Sequence, residues 1–208
     1  MLQLGFSNVI ALRLWTGLLL VLMLVALVPA REVSAQTAAE TWRTLRGSGV
    51  VVLMRHAEAP GGPGIPSAGD PQHFRLDDCS TQRNLDAKGR AQARRAGERL
   101  ANEGVAFTKV YSSQWCRCLE TVRLALGRDA ESLPALNNFF DDRSRAPAQL
   151  AELKRFISTL AATERVLMVT HGVVVSGLVG VSPATGEMVV LKLDGRGGYA
   201  LAGRIQPD

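Results

Sequence analysis

The chain has 208 residues, a formal charge of +5, and a composition that is 47% hydrophobic but only 5% aromatic. That length suits one domain with a real core and hardly two. The mild positive charge suits an anionic substrate or surface, but without a dense basic run or aromatics interleaved with the arginines it does not indicate nucleic acid.

The first segment carries Arg13, then the apolar run "LWTGLLLVLMLVALVPA", then Val33-Ser34-Ala35. A weakly basic start, an apolar stretch of roughly 15 residues and a small-x-small ending form the pattern of a secretory signal peptide. The run is short for a membrane span, which needs about 20 residues. The expectation is a signal peptide over residues 1–35, cleaved after Ala35, with an uncleaved membrane anchor as the alternative. Its removal takes away Arg13, Arg31 and Glu32, leaving a domain of residues 36–208 with a charge of +4. The expected location is periplasmic or secreted, with no membrane partner once the signal is cleaved.

"TAAETWRTLRG" predicts a short helix with Ala38, Trp42 and Leu45 on one face. "GVVVLMRH" is a continuous apolar run, read as a buried strand. "EAPGGPGIPSAGDPQ" is rich in Gly and Pro and reads as a loop. "LDAKGRAQARRAGERLANEG" predicts a helix with Asp86 as N-cap, Ala93, Gly97 and Leu100 on one face, and Gly104 as its stop. "FTKVYSS" is a short strand, and "QWCRCLETVRLALG" is a helix closed by Gly127. "APAQLAELKRFISTLAAT" is another helix, with Pro147 in its first turn and Leu150, Leu153, Ile157 and Leu160 spaced for a core face. "ERVLMVTHG" is a second apolar strand that ends in a histidine. "GEMVVLKLD" and "GYALAGRIQ" alternate as a closing antiparallel hairpin. Strands alternating with helices predict an α/β fold: a three-layer α/β/α sandwich with a mostly parallel sheet and an antiparallel C-terminal edge.

In such sheets ligands sit beyond the carboxyl ends of the strands. Arg55-His56, Ser112-Ser113 and His171 all follow strand ends, so they can converge although His56 and His171 lie 115 positions apart. Of the three histidines, His73 falls in the polar loop. Two histidines without a clear carboxylate spacing do not specify a metal. Arg55, Arg83 and Arg117 sit at loop or helix starts near the same edge, and guanidinium forks match the tetrahedral oxygens of a phosphoryl group. They also disfavour protonation of a neighbouring imidazole, which keeps it nucleophilic. The cysteines are Cys79, Cys116 and Cys118, with no CxxC, so in an oxidising compartment one disulfide and one spare thiol is the simplest arrangement.

The blocks "VVLMRHAEAP", "RNLDAKGRAQA", "VYSSQWCRCLETV" and "VLMVTHGVVVSGLVG" resemble, in order and spacing, the histidine phosphatase superfamily in its phosphoglycerate-mutase-like branch. The family's other large branch usually has His-Asp at the second histidine, where this chain has His171-Gly172. The resemblance implies that His56 attacks phosphorus and becomes a phosphohistidine. Arg55 and Arg117 would hold phosphoryl oxygens, with His171 as a further donor, and Arg83 aligns with a phosphate-contacting arginine of the smaller bacterial members. Helix N-terminal amides near Ser113 and Gly172 would add to the anion site. No cofactor and no metal are expected.

Two positions depart from the family pattern. Ala57 stands where Gly usually follows the Arg-His pair. Many relatives carry a general-acid Glu after the third block, where this chain has "LPALNNFFDDRS". Asp141 is the first candidate for the acid, with Asp142 and Glu58 behind it. If Arg83 and Arg117 meet one phosphate, Cys79 comes near the start of the 114–126 helix. Successive helix positions turn by about 100°, so Cys116 and Cys118 diverge by about 160° and only one can face Cys79. The expected bridge is Cys79 to Cys116, with Cys118 a buried thiol; the alternative is three unpaired thiols.

The expected function is an exported, metal-independent phosphatase acting on phosphate monoesters through a phosphohistidine. Its substrate would be a small molecule, a phosphorylated envelope component or a phosphohistidine protein, selected by loops 59–82 and 128–146. A mutase fits less well, because its glycolytic substrates are cytoplasmic. An inactive phosphate-ester binding module is the alternative from another class.

Overall fold

The computed structural model describes residues 37–61 and 69–206. The expected signal peptide lies outside the described residues, as do residues 62–68 of the first loop. No helix among the described residues is long and apolar enough to cross a membrane.

Helix α1 (Ala38–Arg46) opens with a reciprocal cap in which Thr37 accepts from the Glu40 amide and the Glu40 side chain accepts from the Thr37 amide. Strand β1 (Val50–Arg55) follows, with Val50 to Met54 completely buried. Helix α2 (Ala87–Asn102) starts at Asp86, which accepts from the Gly89 amide. Strand β2 (Lys109–Ser112) leads to helix α3 (Cys116–Leu126), closed by Gly127 at φ 63°. A two-residue strand β3 (Glu131–Ser132), too short to show any periodicity, was not anticipated. Helix α4 (Ala146–Ser158), strand β4 (Arg165–Thr170), helix α5 (Gly172–Val179), and strands β5 (Met188–Leu193) and β6 (Tyr199–Ile205) complete the chain. The sequence reading placed only a helix N-terminus near Gly172. "GVVVSGLV" is too uniformly apolar to display a helical period.

The six strands form one sheet in the order β3-β2-β4-β1-β5-β6, parallel from β3 to β1 and antiparallel at β5 and β6. Because β1 is central, its side chains alternate between two cores. Val50, Val52 and Met54 pack with Trp42, Leu100 and Val122 of α1, α2 and α3. Val51 and Leu53 pack with Leu153, Ile157, Val174 and Leu178 of α4 and α5. This is the expected three-layer sandwich. The C-terminal hairpin differs in one respect: β5 is buried on both faces except at Lys192, because it lies between β1 and β6 instead of at the edge.

Close approach fixes one helix pair. A Cβ on Gly97 of α2 would stand 1.9 Å from the Ala125 carbonyl oxygen of α3, so a glycine is required there. The same helix α3 is tied to the first loop by a disulfide between Cys79 and Cys116, while Cys118 is a buried free thiol.

That crosslink spans 37 positions, a loop whose closure stabilises the fold by about 4 kcal/mol in the chain-entropy account. The double variant Cys79→Ser/Cys116→Ser should unfold at clearly lower urea, and reductant should shift the wild-type midpoint but not that of the variant. Identical midpoints with and without reductant would remove the bridge from the stability of this fold.

Candidate active site

The three strands β1, β4 and β2 end together. Arg55 pairs with Thr170, and Ser112 with Val169. The ladder runs one residue further on each side of β4: the His56 amide donates to the Thr170 carbonyl and the Ser113 amide to the Val169 carbonyl, each at 2.9 Å. The sheet thus delivers His56, Ser113 and His171 to one rim. The imidazole rings of His56 and His171 meet edge to face with centroids 5.3 Å apart. A cavity of about 280 Å³ opens above them, lined by Arg55, Arg83, Arg117, Asn138 and Phe140 as well.

Arg117, in the first turn of α3, is wholly buried. Its Nε donates to His56 Nε2 at 3.2 Å. Its Nη1 and Nη2 form a two-pronged pair with Asp70, at 2.7 and 2.9 Å. Asp70 also accepts from the Trp115 indole at 2.9 Å and from the Arg83 amide at 3.3 Å. The Trp115 ring in turn stands edge-on to His171, 5.3 Å between centroids. Sequence reasoning missed Asp70, which sits in a Gly/Pro loop with no periodicity to distinguish it.

The tautomers follow from the partners. His56 Nδ1 faces the Ala57 carbonyl at 2.8 Å and must carry the proton, which leaves Nε2 unprotonated, its lone pair accepting from Arg117 Nε. His171 Nδ1 faces Arg117 Nη2 at 3.3 Å and accepts, so Nε2–H donates to Ser113 Oγ at 2.8 Å. Ser113 passes a hydrogen bond on to Asn137 Oδ1 at 3.3 Å, which also accepts from the Gln114 amide. Asn137 therefore braces the second histidine, a role its sequence gave no sign of.

Burial, with the Arg117 charge next, holds both imidazoles well below their usual range; Arg55 and Arg83 add to this at each, and His56 also does so at His171. Burial and then the neighbouring Arg117 charge lower the Arg83 guanidinium, while at Arg55 burial is the larger cause and Glu58 opposes it. The Arg55 Nη1 donates to the Pro183 carbonyl at 2.9 Å, but its buried Nε has no hydrogen-bond partner. A buried guanidinium donor without a partner beside two further arginines calls for an anion.

A family model for the histidine phosphatase superfamily (branch 1) matches residues 51–140. Over that stretch, 90 of the chain's 208 residues, the sequence is similar to that superfamily. The protein histidine phosphatase SixA, solved with tungstate, superimposes with a TM-score of 0.54 at 22% identity, covering 76% of this chain and 97% of its own. The alpha-ribazole phosphatase of Shigella flexneri gives 0.54 at 18% identity, over 76% and 96%. A putative phosphohistidine phosphatase SixA from Agrobacterium tumefaciens gives 0.52 at 20%, over 77% and 99%. These likenesses carry the phosphoglycerate-mutase-like fold. No curated protein matches the chain.

The structure brings Arg55, His56, Arg83, Arg117 and His171, all expected site residues, to one cavity. The acid candidates are less uniform. Asn138 and Phe140 line the cavity, while Asp141 is exposed and lies against Gly69 at its edge, within electrostatic reach of Arg83. Asp142 caps the short turn Arg143–Arg145 through the Ser144 amide. Glu58 faces Lys88 and Thr185. Among the described residues no cluster of three or more His, Cys, Asp and Glu is placed to hold a metal ion.

The depressed imidazoles set a pH dependence of stability. In the unfolded chain both histidines bind protons near the usual 6.5, whereas in the fold they do so only well below it. The unfolded state therefore holds more protons in that window, so stability is complete above about pH 6.5 and falls as pH drops, by up to about 2.7 kcal/mol per unit for two groups. Urea unfolding at a series of pH values should show this slope, and His56→Asn should remove about half of it. A flat profile from pH 7 to 5 would contradict the neutral pair.

Proposed function

We propose that this protein is a metal-independent phosphomonoesterase of the histidine phosphatase type that works through a phosphohistidine on His56. The observation that carries the reading is the His56 tautomer: an unprotonated Nε2, fixed by Nδ1–H on the Ala57 carbonyl and turned to Arg117, in a cavity lined by three arginines.

In the first step Nε2 attacks phosphorus in line, a P–N bond forms, and the ester P–O bond breaks. The alcohol oxygen leaves and takes up a proton. Arg55, Arg83 and Arg117 neutralise the equatorial oxygens, which is most of what phosphoryl transfer requires. The phosphorylated imidazole keeps its Nδ1–H on Ala57, so the positive charge has a partner. A bound dianion also raises the proton affinity of His171, which becomes a donor once Nδ1 turns from Arg117 to phosphate oxygen. In the second step water attacks phosphorus, the P–N bond breaks, and phosphate leaves. Asp141 at the cavity edge is the proposed acid for the first step. We place the enzyme outside the cytoplasm, supported by the apolar N-terminal run and by the Cys79–Cys116 bridge. Small-molecule esters, phosphorylated envelope components and phosphohistidine proteins fit the same chemistry.

His56→Ala should abolish turnover of an aryl phosphate while vanadate still binds through the arginines. Wild-type enzyme quenched without acid should yield an acid-labile, base-stable phosphoenzyme, and chelator should leave the rate unchanged. Activity in the variant, or loss in chelator restored by a divalent ion, would mean that the histidines act otherwise. No turnover by the wild type, with anion binding intact, would favour the binding module, whose support is Asn138 and Phe140 in the acid loop.

Asp141→Asn should slow alkyl phosphates by about 10²-fold, a typical contribution of a positioned acid, while aryl phosphates, whose leaving groups need no proton, change little. Equal slowing of both classes would shift the role to Asp142, Glu58 or solvent.

A further inference from the structure

The phosphate cavity is not closed on its outer side. Val173, Ser176 and Ser182 line it and also line a second cavity of about 590 Å³. Two such connected spaces reach the range of small-molecule sites, roughly 300–1,000 Å³.

The composition of the second space is legible in the helices that form it. In α5, Val174, Val175 and Leu178 face the core, which leaves Val173, Ser176 and Gly177 on the opposite face. In α4, Ala146 and Leu150 lie one turn apart and line the facing wall, and Phe139 closes it from the connecting loop. Gly177 sets the depth, since a Cβ there would stand 2.7 Å from Leu150 Cδ1 and 3.5 Å from Phe139 Cζ. No acidic residue lines the space, and its one charged residue, Arg143, is stacked on Phe140 with its guanidinium 5.3 Å from the ring centroid. Phe140, at 39% exposed, belongs to the wall of the phosphate cavity. The Phe140–Arg143 pair thus bridges the two spaces.

We propose that this second cavity is the leaving-group subsite, and that it selects phosphomonoesters whose alcohol carries an apolar, aryl or branched-alkyl body without positive charge. The inference rests on the reading of the His56 cavity as a phosphate-ester site. With the phosphoryl group held by the arginines, the shared wall of Val173, Ser176 and Ser182 leaves one apolar exit for the rest of the molecule. Apolar area buried there is bound before and during transfer alike, so it lowers KM without changing kcat.

Non-hydrolysable phosphonates separate this idea from catalysis. Propylphosphonate and 3-phenylpropylphosphonate share a head group and differ in the body that would fill the second cavity. Calorimetric titration of the wild type should give at least about tenfold tighter binding for the phenylpropyl compound, as expected for burial of one ring. Ala146→Trp, which fills the cavity from α4, should erase that gap and leave inorganic phosphate affinity unchanged. Gly177→Val, from α5, should do the same, and decides if the first variant loses phosphate binding through misfolding. Equal affinity of the two phosphonates for the wild type, or a gap that survives either folded variant, would overturn the subsite. Failure to hydrolyse propyl and aryl phosphates with the gap intact would instead sink the phosphatase reading and leave the subsite standing.

Discussion

The buried pair of Arg117 and Asp70 is the interaction on which the site depends. Both side chains are fully inaccessible, and burial of two charges is costly unless the geometry and remaining hydrogen bonds are good. Here they are. The guanidinium meets the carboxylate with both prongs, its Nε reaches His56, and its Nη1 also donates to the Arg83 carbonyl at 3.3 Å. Asp70 uses its other acceptor capacity on the Trp115 indole and the Arg83 amide. One ion pair therefore positions both histidines, one directly and the other also through Trp115, and sets the backbone from which Arg83 enters the cavity. Removal of either partner would leave an uncompensated charge at the centre of this network.

The pair also explains how three arginines coexist in one cavity. Asp70 neutralises Arg117, so the excess positive charge facing the cavity comes from Arg55 and Arg83. Burial first and the Arg117 charge next hold the two imidazoles well below their usual range, and Arg55 and Arg83 add to this. A dianion bound among these arginines would relieve their mutual repulsion.

Much of this was legible in the sequence, and the division follows a physical line. His56, Ser113 and His171 were readable because each ends an apolar run, and strand ends converge in an α/β sheet whatever their separation along the chain. Arg117 was readable from a helix start. Asp70 was not. Its partner lies 47 positions away, its own loop has no period, and nothing local distinguishes it from a solvated carboxylate. Asn137 was not legible either, since an amide in an aperiodic loop looks like any polar turn residue. Its function is to hold Ser113 and the Gln114 amide 24 and 23 positions away, while Gln149 of α4 donates to its own carbonyl at 2.6 Å. Residues whose partners are brought by tertiary folding leave no periodic trace. The same limit applies to the second cavity, whose walls come from three separate segments.

The start of α3 shows how little sequence is needed once the helix is known. Cys116, Arg117 and Cys118 are consecutive, so they project about 100° apart and meet three different surroundings. Cys116 turns to the first loop and bonds Cys79, and its amide donates to Gln82 Oε1 at 3.0 Å. Arg117 turns to the strand ends. Cys118 turns into the core beneath His171, with Sγ 3.6 Å from Nε2. Burial pushes that thiol up to about 12, so it stays protonated and serves as a small apolar contact rather than a competing nucleophile. A thiolate there would draw a proton onto His171 and raise the affinity of the site for protons in place of phosphate. The same helical turn that joins the loop to the arginine thus keeps the second sulfur, only two residues on, chemically silent.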